Sequence, residues 1–173
     1  MTEDELIEAV RAAVADRDLP PPAAPADVVG AERAIGSPMP RLLRRLYLEV
    51  ANGGFGIWPC VSLTDTGRWY SDERDLVEAH RNFVSSLGDP GFPPAPPSVV
   101  PLMDRGCCMW TLIDLATEDG RIWDWDPDEC CVLVPTTLSL SQWLTGWLEG
   151  WVVEGPYDHF RTHDANCPSG QRR

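Results

Sequence analysis

Two proline-rich stretches, residues 19–26 and 90–97, limit what this chain can fold into more than any other feature. Proline has no amide hydrogen and a fixed φ, so neither a helix interior nor a central strand runs through such a stretch. Both read as extended connectors, and they cut the chain into three runs with different periodicities.

Before the first connector, Thr2 followed by Glu5 is a capping box, and Leu6, Ile7, Val10 and Val14 recur at helical spacing, which predicts a short amphipathic helix. Between the connectors, Asp27 is expected to cap a helix over 28–35, stopped by Gly36 and Pro38. Pro40 suits the first turn of the next, with Leu42, Leu43, Leu46, Tyr47 and Val50 as its apolar stripe and Arg41, Arg44, Arg45 and Glu49 opposite. The arginines read as a solvated flank pairing with surplus acids. Asn52, Gly53 and Gly54 tolerate the left-handed conformation and form a structural turn there, from which the chain is expected to leave as a strand over 55–63. Ser71 is expected to cap a fourth helix carrying Leu76, Val77, His80, Val84 and Leu87 and closed by Gly88; His80 on that stripe reads as a half-buried core residue.

Beyond the second connector come runs of strand character at 99–103, 107–115, 121–125 and 130–134. The joins Glu118-Asp119-Gly120 and Asp126-Pro127-Asp128-Glu129 are turn chemistry, so the last three runs are expected to form an antiparallel meander. Ser139 and Gln142 form a second capping box, opening a helix with Leu140, Trp143, Leu144, Trp147, Leu148 and Trp151 on one face. From about residue 155 periodicity ceases. The reading is one α+β domain, a mostly antiparallel sheet flanked by helices: an N-terminal helix and connector over 1–26, the main domain over 27–152, and an irregular tail over 153–173.

Composition narrows the functions. The formal net charge is −13, a negative field that repels phosphate backbones and anionic lipid while steering basic partners inward, so direct nucleic-acid and membrane binding are not expected. All 14 basic residues are Arg, which removes Schiff-base lysine and phosphate-loop chemistry. The start Met1-Thr2-Glu3-Asp4-Glu5 is acidic where a signal peptide is basic, and no apolar run approaches the roughly 18 residues of a membrane span, so a cytoplasmic location is expected. The six cysteines then read as free, mostly buried thiols.

The run Ala31-Glu32-Arg33-Ala34-Ile35-Gly36, then Met39-Pro40, then Leu42 through Asn52-Gly53-Gly54-Phe55-Gly56 resembles the N-terminal signature of the SUKH superfamily, which includes Smi/Knr-type fungal cell-wall-synthesis regulators and many bacterial immunity proteins. Residues 110–125 resemble that family's paired strands with a Trp-Asp turn, and 139–148 its closing helix, so the resemblance spans roughly residues 28 to 150. It implies an α+β protein-binding module whose bacterial members are proposed to neutralise toxins, frequently nucleases. The connector at 19–25, the tail after Trp151 and the cysteine content depart from the pattern.

Several groups invite chemistry. Asp124, Asp126 and Asp128 alternate like the first ligands of a calcium loop, but the sixth position is Glu129 where a sharp turn needs Gly, and the twelfth is Pro135. An acidic hairpin turn, or an acidic rim formed with Glu118, Asp119 and Glu129 for a basic partner, are the competing readings. Cys107-Cys108 and Cys130-Cys131 on strands would offer one sulfur per face, two ligands where structural zinc needs four. His159, His163 and Cys167 stand at i, i+4 and i+8 but in a segment that reads as coil. Trp123 and Trp125 share a strand face beside the acidic turn, so Trp123, Asp124, Trp125, Asp126, Asp128 and Glu129 are the expected partner-binding patch. No catalytic residue, metal or cofactor is assigned. The expected function is a non-catalytic immunity protein holding a basic toxin domain; the alternatives are a regulatory scaffold of Smi/Knr type and a metal-dependent enzyme built from these cysteines, histidines and aspartates.

Overall fold

Thr2 opens α1 (Glu3–Ala13) as its spacing predicts. Its hydroxyl accepts from the Glu5 amide at 3.3 Å while the Glu5 carboxylate accepts from the Thr2 amide at 2.7 Å, which satisfies two otherwise orphaned donors. The computed structural model describes residues 1–87, 94–126 and 133–152. Leu6, Ile7 and Val10 form the buried face of α1.

The second helix, α2 (Pro25–Ile35), begins earlier than predicted. Pro25 takes the first helical position, where a missing amide hydrogen costs nothing, and Asp27 works from the third position, accepting from the Ala24 amide at 3.0 Å. In α3 (Arg41–Glu49) Leu42, Leu43, Leu46 and Tyr47 are buried. The arginine flank is paired as expected: Arg41 with Glu3 at 2.5 Å, Arg44 with Glu32 at 2.5 Å, and Arg45 with Glu49 at 2.6 Å and Asp4 at 2.7 Å.

The turn after α3 has the predicted conformation, with Gly53 at φ +103° and Gly54 at φ +80°. The strand expected over 55–63 does not form. Gly56 also sits at φ +100°, Gly54 donates to the Cys60 carbonyl and Cys60 to the Phe55 carbonyl, and contact with the sheet is limited to the Val61 amide on the Leu102 carbonyl and the Cys60–Met103 bridge. Asn52 ties this loop together: its Oδ1 accepts from the Leu63 amide at 2.8 Å and its Nδ2 donates to Thr64 Oγ1 at 2.8 Å.

Asp75, and not Ser71, caps α4 (Leu76–Ser86), accepting from the Glu78 amide at 2.9 Å; Ser71 accepts from Glu73 in a short turn four residues upstream. The buried face is Leu76, Ala79, His80 and Phe83, with His80 Nε2 2.8 Å from the Pro97 carbonyl. Gly88 and the first part of the second connector lie outside the described residues.

Four strands then form one antiparallel meander in sequence order: β1 (Val99–Asp104), β2 (Trp110–Asp114), β3 (Arg121–Trp125) and β4 (Leu133–Ser139). Their two prolines, Pro101 and Pro135, fall on the outer strands of the four, where a missing donor is tolerated. Strand β4 runs further than predicted, and its last residue, Ser139, caps α5 (Leu140–Glu149) through the predicted reciprocal pair with Gln142.

The sheet has two unequal apolar faces. Val100, Leu102, Ile113, Ile122 and Leu138 share the main core with Tyr47, Phe55, Trp143, Leu144 and the apolar face of α1, so residues 1–26 belong to the same core as the rest. A smaller cluster of Phe83, Val99, Leu112 and Leu133 lies against half-buried Trp110, Trp123 and Trp125. The tryptophans of the last helix divide: Trp143 is fully buried, Trp147 is half-buried beneath the Arg17 guanidinium at 5.7 Å, and Trp151, past the helix end, is 43% exposed. The chain is therefore α+β, with five helices and a four-stranded antiparallel sheet among the described residues.

Candidate functional site

Alternation along β3 turns Trp123 and Trp125 to one side and Ile122 and Asp124 to the other. Asp124 is 0% exposed. Its Oδ1 accepts from Arg105 Nη2 at 2.5 Å, and the same nitrogen lies 3.1 Å from the Trp125 carbonyl and 3.3 Å from that of Trp110. One guanidinium thus fastens the start of β2 to the end of β3. The expectation that Asp124 faces a partner is corrected, because its carboxylate is consumed in the interior by an arginine.

Trp123 and Trp125 are half-buried rather than displayed; the Trp125 ring stands 5.8 Å from that of Phe83 on α4. Asp126 is half-buried, and Asp128, Glu129, Cys130, Cys131, His159, His163 and Cys167 lie outside the described residues. Nor do Glu118 and Asp119 extend an acidic rim toward Asp126. They sit in the β2–β3 turn, and β3 leads away from that turn for its whole length, on the order of 15 Å for five residues.

Among the described residues two aromatics are exposed, Trp151 at 43% and, more fully, Trp69 at 60%, in the loop between Asn52's hydrogen-bonded segment and α4. The floor of this loop is the glycine turn. A Cβ on Gly54 would stand 2.6 Å from the Tyr70 hydroxyl oxygen and 2.6 Å from Leu19 Cδ2, and one on Gly53 would stand 2.7 Å from Ser62 Cα, so the absence of side chains lets three segments close on one another.

The loop is strongly acidic. Asp65, Asp72, Glu73 and Asp75 accompany only Arg68 and Arg74, and both cations are engaged, Arg68 by Asp18 at 2.7 Å and Arg74 by Glu78 at 3.0 Å. Four carboxylates against two guanidiniums leave the loop itself at −2, with both guanidiniums further compensated by Asp18 and Glu78. Hydrogen bonds from the Arg74 side chain and then its backbone amide hold the Glu78 pKa down to about 2, so that carboxylate stays charged through the neutral range. Sequence reading passed over Trp69 because the segment has no periodicity, and without a period an aromatic cannot be assigned to a face. The signal available was a lone Trp amid turn residues and acids.

Cys107 and Cys108 are also not where a strand would place them. They are the central residues of a turn closed by the Met109 amide donating to the Gly106 carbonyl at 2.9 Å, with φ +50° and +63°. Both thiols are exposed, against the expectation of buried ones, whereas Cys60 is buried and its pKa is pushed well up by desolvation. Two consecutive side-chain-bearing residues in the left-handed region cost about 1–2 kcal/mol each. Among the described residues no group of three or more His, Cys, Asp or Glu side chains is placed to hold a metal ion, and no helix is long and apolar enough to cross a membrane.

An open groove of about 840 Å³ lies between the N-termini of α1 and α5, bordered by Met1, Leu42, Glu118, Asp119 and Trp151.

Comparison of the chain with protein-family models, with curated proteins and with solved structures gave no match.

Proposed function

We propose that this protein is a non-catalytic binding module of the SUKH kind that holds a basic protein, and that its role is that of a cytoplasmic immunity protein masking a toxin domain such as a nuclease. The observation that carries the reading is the exposed Trp69 in an acidic loop of net charge −2, whose two arginines are both paired with carboxylates, braced on a glycine turn. Tryptophan anchors give up little entropy on burial and dominate binding energy, while a surrounding field of one sign attracts and orients the opposite charge. The resemblance of residues 28 to 150 to the SUKH signature supports the same reading, and it places the bracing turn, Asn52-Gly53-Gly54, within that signature.

The test is capture. The tagged chain is immobilised, loaded with a lysate of its own source at low salt and eluted with a salt gradient. One basic protein leaving as salt rises, retained at least tenfold less by W69A, and toxic to cells unless this chain is co-expressed, is the expected result. Several partners with no rescue of growth would favour a regulatory scaffold, and a partner-free protein purified with stoichiometric metal would overturn the reading.

A further inference from the structure

The geometry points to a thiol modification site at the tip of the β1–β2 hairpin: we infer that Cys107 and Cys108 form an exposed vicinal dithiol that closes reversibly to a disulfide when it meets a peroxide. Three observations carry this. Both thiols are exposed and free. Both residues occupy the left-handed region in succession, after Gly106 at φ +79°, in a turn that suits Asn or Gly and gives L-residues no return for their strain. The turn is also short and pinned at its base, by the Arg105 amide donating to the Met109 carbonyl at 2.9 Å and by the Arg105 side chain on Asp124, so the two thiols are carried on adjacent residues of a fixed tip.

The chemistry balances with the peroxide as sole oxidant. One thiolate attacks a peroxide oxygen, the O–O bond breaks, and the departing hydroxide takes a proton to leave as water, giving a sulfenic acid. The neighbouring thiolate attacks that sulfur, the S–O bond breaks, a second water leaves and the S–S bond forms. Two sulfurs lose one electron each and the peroxide gains both. Adjacent Cα atoms are only about 3.8 Å apart, below the usual separation for a disulfide, so the ring is strained and easily reopened by a thiol. That suits a reversible mark and not a staple.

The cleavage map makes the test direct. Trypsin cuts after Arg105 and next after Arg121, releasing residues 106–121 with Cys107 and Cys108 as the only cysteines in that peptide. The full chain is treated with hydrogen peroxide, alkylated under denaturing conditions, digested and weighed, with and without dithiothreitol before alkylation. The expected result is a peptide lighter by two hydrogens that takes up no alkylating agent, and two alkyl groups after reduction. C107S and C108S should each lose the effect entirely. Full alkylation after peroxide, a cross-link to another cysteine peptide, or oxidation of one sulfur to sulfinic acid without ring closure would each overturn the proposal, and the wild-type reading stands even if either variant fails to fold.

Discussion

Arg105 and Asp124 meet at 2.5 Å with 3% and 0% of their side chains exposed, joining the hairpin tip to a central strand inside the protein. Neither charge has water to fall back on. Removing one partner leaves the other's charge buried without its opposite charge, which is a larger loss than the pair's own net contribution.

Replacing Asp124 with Ala is expected to destabilise the fold by about 3–5 kcal/mol, read as a lower urea midpoint at unchanged slope. R105M/D124L, which removes both charges, should recover much of that loss. If D124A costs less than about 1 kcal/mol, the pair is not the clamp described above.

Gly53 and Gly36 separate two causes of glycine dependence. Both have positive φ, but a Cβ at Gly36 meets nothing within 4 Å, while one at Gly53 meets the Ser62 backbone at 2.7 Å. G36A should cost about 1 kcal/mol from conformation alone, and G53A at least twice that because backbone must move, as compared by thermal unfolding. Equal losses would show that the close approach at Gly53 has no energetic weight.

Acid should weaken the acidic loop's hold on α4. The Glu78 pKa is lowered from 4.5 to about 2 in the folded protein, so its contribution is present above pH 4.5 and disappears as pH falls toward 2. R74A should therefore lose a small amount of stability at pH 7, small because the pair is exposed, and the difference from wild type should shrink toward zero as pH falls from 4.5 to 2, which urea unfolding across that range checks.

Trp69 should matter to binding and not to folding. With 60% of its surface in water, W69A is expected to leave the unfolding midpoint within about 0.5 kcal/mol of wild type and to weaken the partner complex by about 2 kcal/mol, roughly 30-fold in Kd. Titration calorimetry with the captured partner checks the second figure.

What the sequence reveals about this fold is what is locally determined. The capping boxes at Thr2 and Ser139 and the left-handed turn at Gly53 and Gly54 each need only a few adjacent residues, and all three stand as read. The errors lie where tertiary contacts decide. Residues 55–63 have strand-like composition, but their amides go to scattered partners, Cys60 to the Phe55 carbonyl, Val61 to the Leu102 carbonyl and Leu63 to the Asn52 side chain, and so form no ladder. The Cys-Cys-Met-Trp run looks like the start of a strand until the turn takes its first two members. Asp124 reads as a rim carboxylate because nothing near it in sequence announces Arg105, 19 positions away, as its partner. Trp69 escaped notice for the opposite reason, since its exposure is a fact about what does not pack on it.

The docking of α1 against α3 and α5 has a consequence for how the protein is made. About 130 residues separate the end of α1 from the start of α5, and ribosomes add roughly 5–20 residues each second. The greasy side of the first helix, Leu6, Ile7 and Val10, must therefore wait on the order of 10 s for the last helix to emerge before its burial is complete. During synthesis that surface is the one most open to capture by a chaperone or by a second nascent chain.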